Sequence, residues 1–197
     1  MHYFKCFEDF RAHGLDEFLE LVIKFYPRTE PYINKIEQFI INSGCLRIDV
    51  NHIQMGAGVS LSDRVIINKE SFNEPLGKFL FIVFHEIAHQ FQYKKYGADK
   101  MYSVYTGDIS VKDGAIFMKD LEIVADEFAS RKIREFEKIG LLTNDDARFK
   151  SFYNTTHLDH FIRIINLFKK EIDEKGLTTP EEINTIFYEL LILNDNI

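Results

Sequence analysis

His85-Glu86-Ile87-Ala88-His89 places two histidines four residues apart, with a glutamate next to the first. On an α-helix positions i and i+4 lie one above the other, so both imidazoles can face one ion at little rotamer cost. Zn²⁺ binds imidazole well, and catalytic zinc sites use three protein ligands and keep a fourth position open to water. A metal held there would acidify water, and Glu86, projecting to one side, could take its proton as a general base without being a ligand. A chain of this composition yields roughly 0.02 accidental matches to H-E-x-x-H. The run before the motif, Phe79-Leu80-Phe81-Ile82-Val83-Phe84, is apolar nearly all round, the pattern of a central buried helix. Burying two histidines and a glutamate in such a helix is costly unless each finds a partner, and a metal with its water satisfies all three.

A third donor is expected from Leu121-Glu122-Ile123-Val124-Ala125-Asp126-Glu127-Phe128-Ala129. Glu122 and Asp126 are i and i+4, and Ala125 and Ala129 beside them allow close approach to another helix. Leu121, Val124 and Phe128 are expected to pack into the core. The natural division of labour gives Glu122 to the metal and Asp126 to the outer N–H of a ligand histidine, fixing its tautomer and ring orientation. Asp108, in Tyr105-Thr106-Gly107-Asp108, is a competing third ligand.

H-E-x-x-H followed on a later helix by E-x-x-x-D resembles the gluzincin branch of the zinc metallopeptidases. Within that branch, Glu122-Ile-Val-Ala-Asp126-Glu-Phe-Ala129 is similar to the E-x-x-A-N/D-x-F-A pattern of the ImmA/IrrE-like peptidases. It also resembles the E-x-x-A-D pattern of a family of membrane-embedded zinc peptidases, but no membrane span is visible here. The resemblance covers residues 58 to 135 and is most specific at the motif helix. It implies a zincin-like fold, peptide hydrolysis, His85, His89 and Glu122 as zinc ligands, Glu86 as general base and Asp126 as the partner of a ligand histidine. The 32 residues from Gln90 to Leu121 leave room for another donor, and the segment around Asp108 loosely resembles the G-T-x-D of the aspzincins. A donor for the oxyanion is also required in peptide hydrolysis. Tyr102, Tyr105, His157 and His160 are the candidates, and the two histidines could equally be a surface pair.

Several elements must position these groups. Apolar residues at Leu15, Phe18, Leu19, Val22, Phe25 and Tyr26 have helix spacing, and Pro27 ends the run. A second helix opens at Pro31, buries Ile33, Ile36, Phe39 and Ile40, and stops at Gly44. Alternation at 46–50, 59–61 and 65–67 predicts two or three short strands. The motif helix is expected over about 74–96, with Asn73 as N-cap and Gly97 past its end. Residues 98–118, rich in Tyr, Gly, Asp and Ser, read as a loop with a short strand at Met101 to Tyr105. Helices over about 116–138, 156–174 and 180–193 complete the chain, the last opened by the capping box Thr179-Pro180-Glu181-Glu182. The expected class is α+β: one zincin-like domain over 1–197, mostly helical. A small mixed sheet precedes the active-site helix, the core spans about 45–140, and helices are added at both ends.

Composition narrows the function. The 197 residues are 46% apolar and 28% charged, a globular balance that excludes disorder or fibrous repeats for the whole chain. A formal net charge of −7, with no basic run, removes any general attraction to phosphate backbones, so nucleic acid is not an expected partner. Two distant cysteines, Cys6 and Cys45, argue against a disulfide scaffold or a thiolate metal site. No signal peptide is visible, and the longest apolar run, six residues, is far short of the roughly 20 a membrane span needs. The expectation is a cytoplasmic zinc metallopeptidase acting on a protein or peptide. The rival is a zincin-like binding or regulatory module without catalysis. An edge strand near Val59 to Leu61 could add an extended substrate to the sheet.

Overall fold

Leu15, Phe18, Leu19 and Val22 turn one buried face inward from a first helix, α1 (Leu15–Phe25). The computed structural model describes residues 14–45, 47–53, 56–107, 109–143 and 158–191. A 3-10 turn over Pro27–Tyr32 leads into α2 (Ile33–Ser43), which ends at Gly44 in the left-handed region that glycine enters without steric cost. Three short strands follow: β1 (Ile48–Asn51), β2 (Gly58–Ser60) and β3 (Val65–Asn68). β3 is central. β1 pairs with it in parallel (Ile48 opposite Val65) and β2 antiparallel (Val59 opposite Ile66). The sheet is therefore small and mixed, and it precedes the motif helix in the chain, as expected.

That helix, α3 (Leu76–Tyr96), is the centre of the molecule. Every residue from Phe79 to Ala88 is buried, because the helix is enclosed by α2, the sheet and two later helices, with Phe18 of α1 stacked on Phe79. Phe18, Tyr26, Phe72 and Phe79 form an aromatic cluster at its start, with Phe72 and Phe79 rings 4.6 Å apart. Its N-terminus differs from expectation. Asn73 lies in a separate 3-10 turn (Lys69–Asn73) and bonds Glu70, while Pro75 takes the cap position. The Tyr26 hydroxyl secures the junction by donating to the Glu74 carbonyl at 2.8 Å.

The stretch read as a loop with a strand at 101–105 is instead a helix, α4 (Ala98–Thr106), followed by a long helix, α5 (Val111–Lys138), that begins five residues earlier than expected. The reason is local chemistry combined with packing. Gly107 ends α4 at φ 89°, and the Ser110 side chain accepts from the Asp113 amide to cap α5. Gly114, which reads as a breaker, lies inside α5, where a Cβ would stand 3.2 Å from Val104 and 3.3 Å from Ile165. It lets three helices meet closely. On α5 itself, Leu121 is buried and Phe128 packs against Phe39 and Phe91, but Val124 is 53% exposed rather than in the core. Ala125 and Ala129 are fully buried on the side that meets α3.

Two further helices, α6 (Leu158–Lys175) and α7 (Pro180–Leu191), pack on α4 and α5. Glu182 closes the capping box by accepting from the Thr178 and Thr179 amides at 3.0 Å. A buried Asn184 ties α7 to the sheet: it accepts from the Ser62 amide and the Tyr102 hydroxyl and donates to Asp63. The buried side chains form two clusters. One surrounds the first half of α3, and the other is gathered from α4, α6 and α7. Among the described residues no helix is long and apolar enough to cross a membrane.

Candidate metal centre

One turn of α3 separates His85 from His89, and their Nε2 atoms lie 3.1 Å apart. α5 crosses alongside and brings Glu122 to them. Its Oε2 is 3.0 Å from His85 Nε2 and its Oε1 3.5 Å from His89 Nε2. The close crossing follows from the buried Ala125 and Ala129, whose small side chains keep the two helices near each other. The structure thus brings together three of the donors picked out in the sequence, and this His85, His89 and Glu122 group could hold a metal ion.

The proton inventory explains why a cation suits the centre. His85 Nδ1 is 2.9 Å from Asp126 Oδ1, so the ring donates there and turns Nε2 inward. Gln92 fixes the second ring. Its Nε2 donates to the Leu121 carbonyl at 2.8 Å, which leaves its Oε1 to accept from His89 Nδ1 at 2.8 Å. His89 Nε2 then turns inward as well. Two ring nitrogens and a carboxylate converge on one point, where a cation can take the place of a proton. Glu122 Oε2 is buried without a hydrogen-bond donor despite its short approach to His85. A tetrahedral zinc with bonds of about 2.0–2.1 Å spaces its ligand atoms about 3.3–3.4 Å apart, close to the separations seen here. The residues present therefore fit a divalent ion.

The titration of the groups points the same way. Burial works against charge on His85, but the hydrogen bond to Asp126 and the adjacent Glu122 carboxylate outweigh it and lift the ring to about 10. His89 is also raised, as the Glu122 charge overcomes burial. Burial would raise Glu122, yet the adjacent His89 and His85 hold it well below the usual carboxylate range. The site draws positive charge, whether as protons or as a metal ion. Glu86 behaves differently. Burial dominates and raises its carboxyl, even though both histidines favour the charged form.

Glu86 faces β2. A Cβ placed on Gly58 would stand 2.7 Å from Glu86 Cγ and 3.1 Å from Cδ and Oε1, so the bare strand backbone rests on the carboxylate arm. Gln90, one residue past the second histidine, donates to Ser60 Oγ and the Leu61 carbonyl and pins this outer strand to α3. A cavity of about 610 Å³ opens between β2 and α4–α7, with His85, Glu86, His89 and Glu122 in its wall.

Among the candidate oxyanion donors, Tyr105 and His160 line that cavity. Tyr102 does not: its hydroxyl donates to Asn184 at 2.8 Å and accepts from the Ser62 amide. Asp108 and His157 lie outside the described residues. Sequence reasoning missed Gln92, Gly58 and Gln90. Only Gln92 left a usable sign, an amide three residues beyond His89 and so on the adjoining helix face. No family model matches this sequence, and no curated protein or solved structure is detectably similar to it.

Proposed function

We propose that this chain is a zinc-dependent metallopeptidase of zincin-like fold that hydrolyses a protein or peptide substrate. The observation that carries the reading is the convergence of two imidazole nitrogens and the Glu122 carboxylate on one point of a cavity wall, with Glu86 beside them. Zinc, when bound, supplies a Lewis acid for the scissile carbonyl and acidifies water. Asp126 and Gln92 hold the two rings in the tautomers that turn Nε2 to the ion. Glu86 takes the proton of the attacking water and later delivers it to the leaving amine. Its raised carboxyl is a stronger base than an exposed glutamate. β2, an outer strand of the sheet, borders the cavity and can pair with an extended substrate backbone.

Two variants test the reading. Glu86→Gln should keep its zinc, measured by elemental analysis, and lose about 10²–10⁴ in turnover of a quenched-fluorescence peptide library. His89→Ala should lose the metal. An unchanged rate in the first variant, or an unchanged zinc content in the second, overturns the assignment. Full zinc occupancy in the wild-type chain with no cleavage of any peptide would favour a binding module.

A further inference from the structure

The cavity has two unlike halves. One wall is the metal group with Glu86. The rest of the lining from α4, α5, α6 and α7 includes Met101, Tyr105, Met118, Ile164, Phe168 and Phe187, apolar but for one hydroxyl, with His160 beside them. Three of these are rings packed on one another, with Phe168 and Phe187 centroids 4.1 Å apart and Tyr105 4.8 Å from Phe187. Among the described residues neither a lysine nor an arginine lines the cavity, and the two acids there, Glu86 and Glu122, belong to the metal side. A charged group entering the far half would lose its hydration and meet, among the described residues, only the His160 ring and the Tyr105 hydroxyl as polar groups from α4 and α6. At about 610 Å³ the space is far larger than the reacting atoms of a peptide bond need, and it lies in the usual range of small-molecule pockets. The two methionines give that half adaptable, polarisable surface. The Tyr105 hydroxyl donates to a weak acceptor, the Met118 thioether at 3.6 Å, so it can turn to a better acceptor on an incoming group.

We infer that this far half is the selectivity pocket of the site and takes a bulky uncharged side chain, aromatic or long aliphatic, of the residue next to the scissile bond. The inference rests on the metallopeptidase reading and deepens it. Its residues from α6 and α7 lie beyond the stretch that carries the zinc motifs, so the tail helices choose the substrate.

The test uses binding to the zinc-loaded full chain rather than turnover. Acetohydroxamate, a small metal chelator, reports an open metal position. Its α-substituted forms bearing benzyl, isobutyl, carboxymethyl or 4-aminobutyl groups report the pocket, each titrated by calorimetry. The benzyl and isobutyl probes should bind about 100-fold more tightly than the two charged ones. Met118→Trp, and separately Ile164→Trp on a different helix, should shrink the benzyl-to-acetohydroxamate affinity ratio at least tenfold by filling the space. Equal affinity for all side chains, a preference for a charged probe, or a ratio unmoved by a folded tryptophan variant overturns the pocket while leaving the metal centre intact. No zinc-dependent binding of acetohydroxamate overturns both.

Discussion

Gly58→Ala tests the placement of the base with a single methyl group. Gly58 does not adopt a positive φ, so alanine meets no backbone penalty there, and the effect lies in the contact. The new Cβ would stand 2.7 Å from Glu86 Cγ, whereas carbon atoms rest at about 3.5–4.0 Å. One partner must give by about 1 Å. The strand cannot retreat easily: Gly58, Val59 and Ser60 are registered on β3, and Gln90 ties Ser60 and Leu61 to α3. The Glu86 arm therefore moves. A displacement of about 1 Å in a catalytic group costs about 100-fold, equivalent to about 2.7 kcal/mol of barrier. The ligands themselves are untouched, so the variant should bind zinc normally. Elemental analysis, followed by kcat/KM on a peptide that the wild-type chain cleaves, decides the matter. Activity within threefold of wild type would refute the argument. So would loss of zinc, which would show that the strand supports the metal rather than the base. Adding Glu86→Asp, which withdraws the crowded methylene, should recover part of the loss, because the two sites are in contact and their effects do not add.

Three other outcomes follow from the same geometry. Asp126→Asn and Gln92→Leu should each weaken zinc binding about 10–100-fold in chelator competition, since each frees one ligand ring to turn; affinity equal to wild type would show the outer bonds to be idle. In the metal-free chain His85 is raised to about 10, so it holds a proton at pH 8 that the metal must displace. Zinc binding at pH 8 should then release at least one proton, read by calorimetry in buffers of different ionisation enthalpy, and affinity should rise with pH toward that value; no buffer dependence would contradict the assignment. Asn184→Ala should destabilise the metal-free chain by about 1–3 kcal/mol, lowering its melting temperature, because the Tyr102 hydroxyl and the Ser62 amide lose a shared acceptor.

The elements most legible in the sequence were those with strong periodicity or distinct stops. The α+β class, the short mixed sheet and the buried motif helix follow from alternation, from apolar density and from Pro27, Gly44 and Gly97. The region from 98 to 118 was misjudged because its glycines serve different ends. Gly107 terminates a helix, whereas Gly114 sits within one as a contact surface for Val104 and Ile165. Composition cannot separate those uses, since the second depends on a helix more than 40 residues away in the chain. Val124 was misplaced for a similar reason: the face of α5 that is buried is set by what packs on it.

At the site, local spacing alone determined that His85 and His89 can share an ion, that Glu86 stands beside them, and that Glu122 and Asp126 lie on one helix face. A helix repeats every 3.6 residues wherever it occurs, so these relations need no knowledge of the rest of the chain. Tertiary structure decided what the helix period cannot reach. It brought α5 against α3 so that Glu122 meets both imidazoles, laid the bare backbone of Gly58 on Glu86, and set the Leu121 carbonyl where the Gln92 amide donates to it. It also assembled an apolar wall from α4 to α7 around the far half of the cavity. The contacts of Glu122 with the imidazoles, of Gly58 with Glu86 and of Tyr105 with Phe187 join residues 28 to 82 positions apart, and only packing can select such partners.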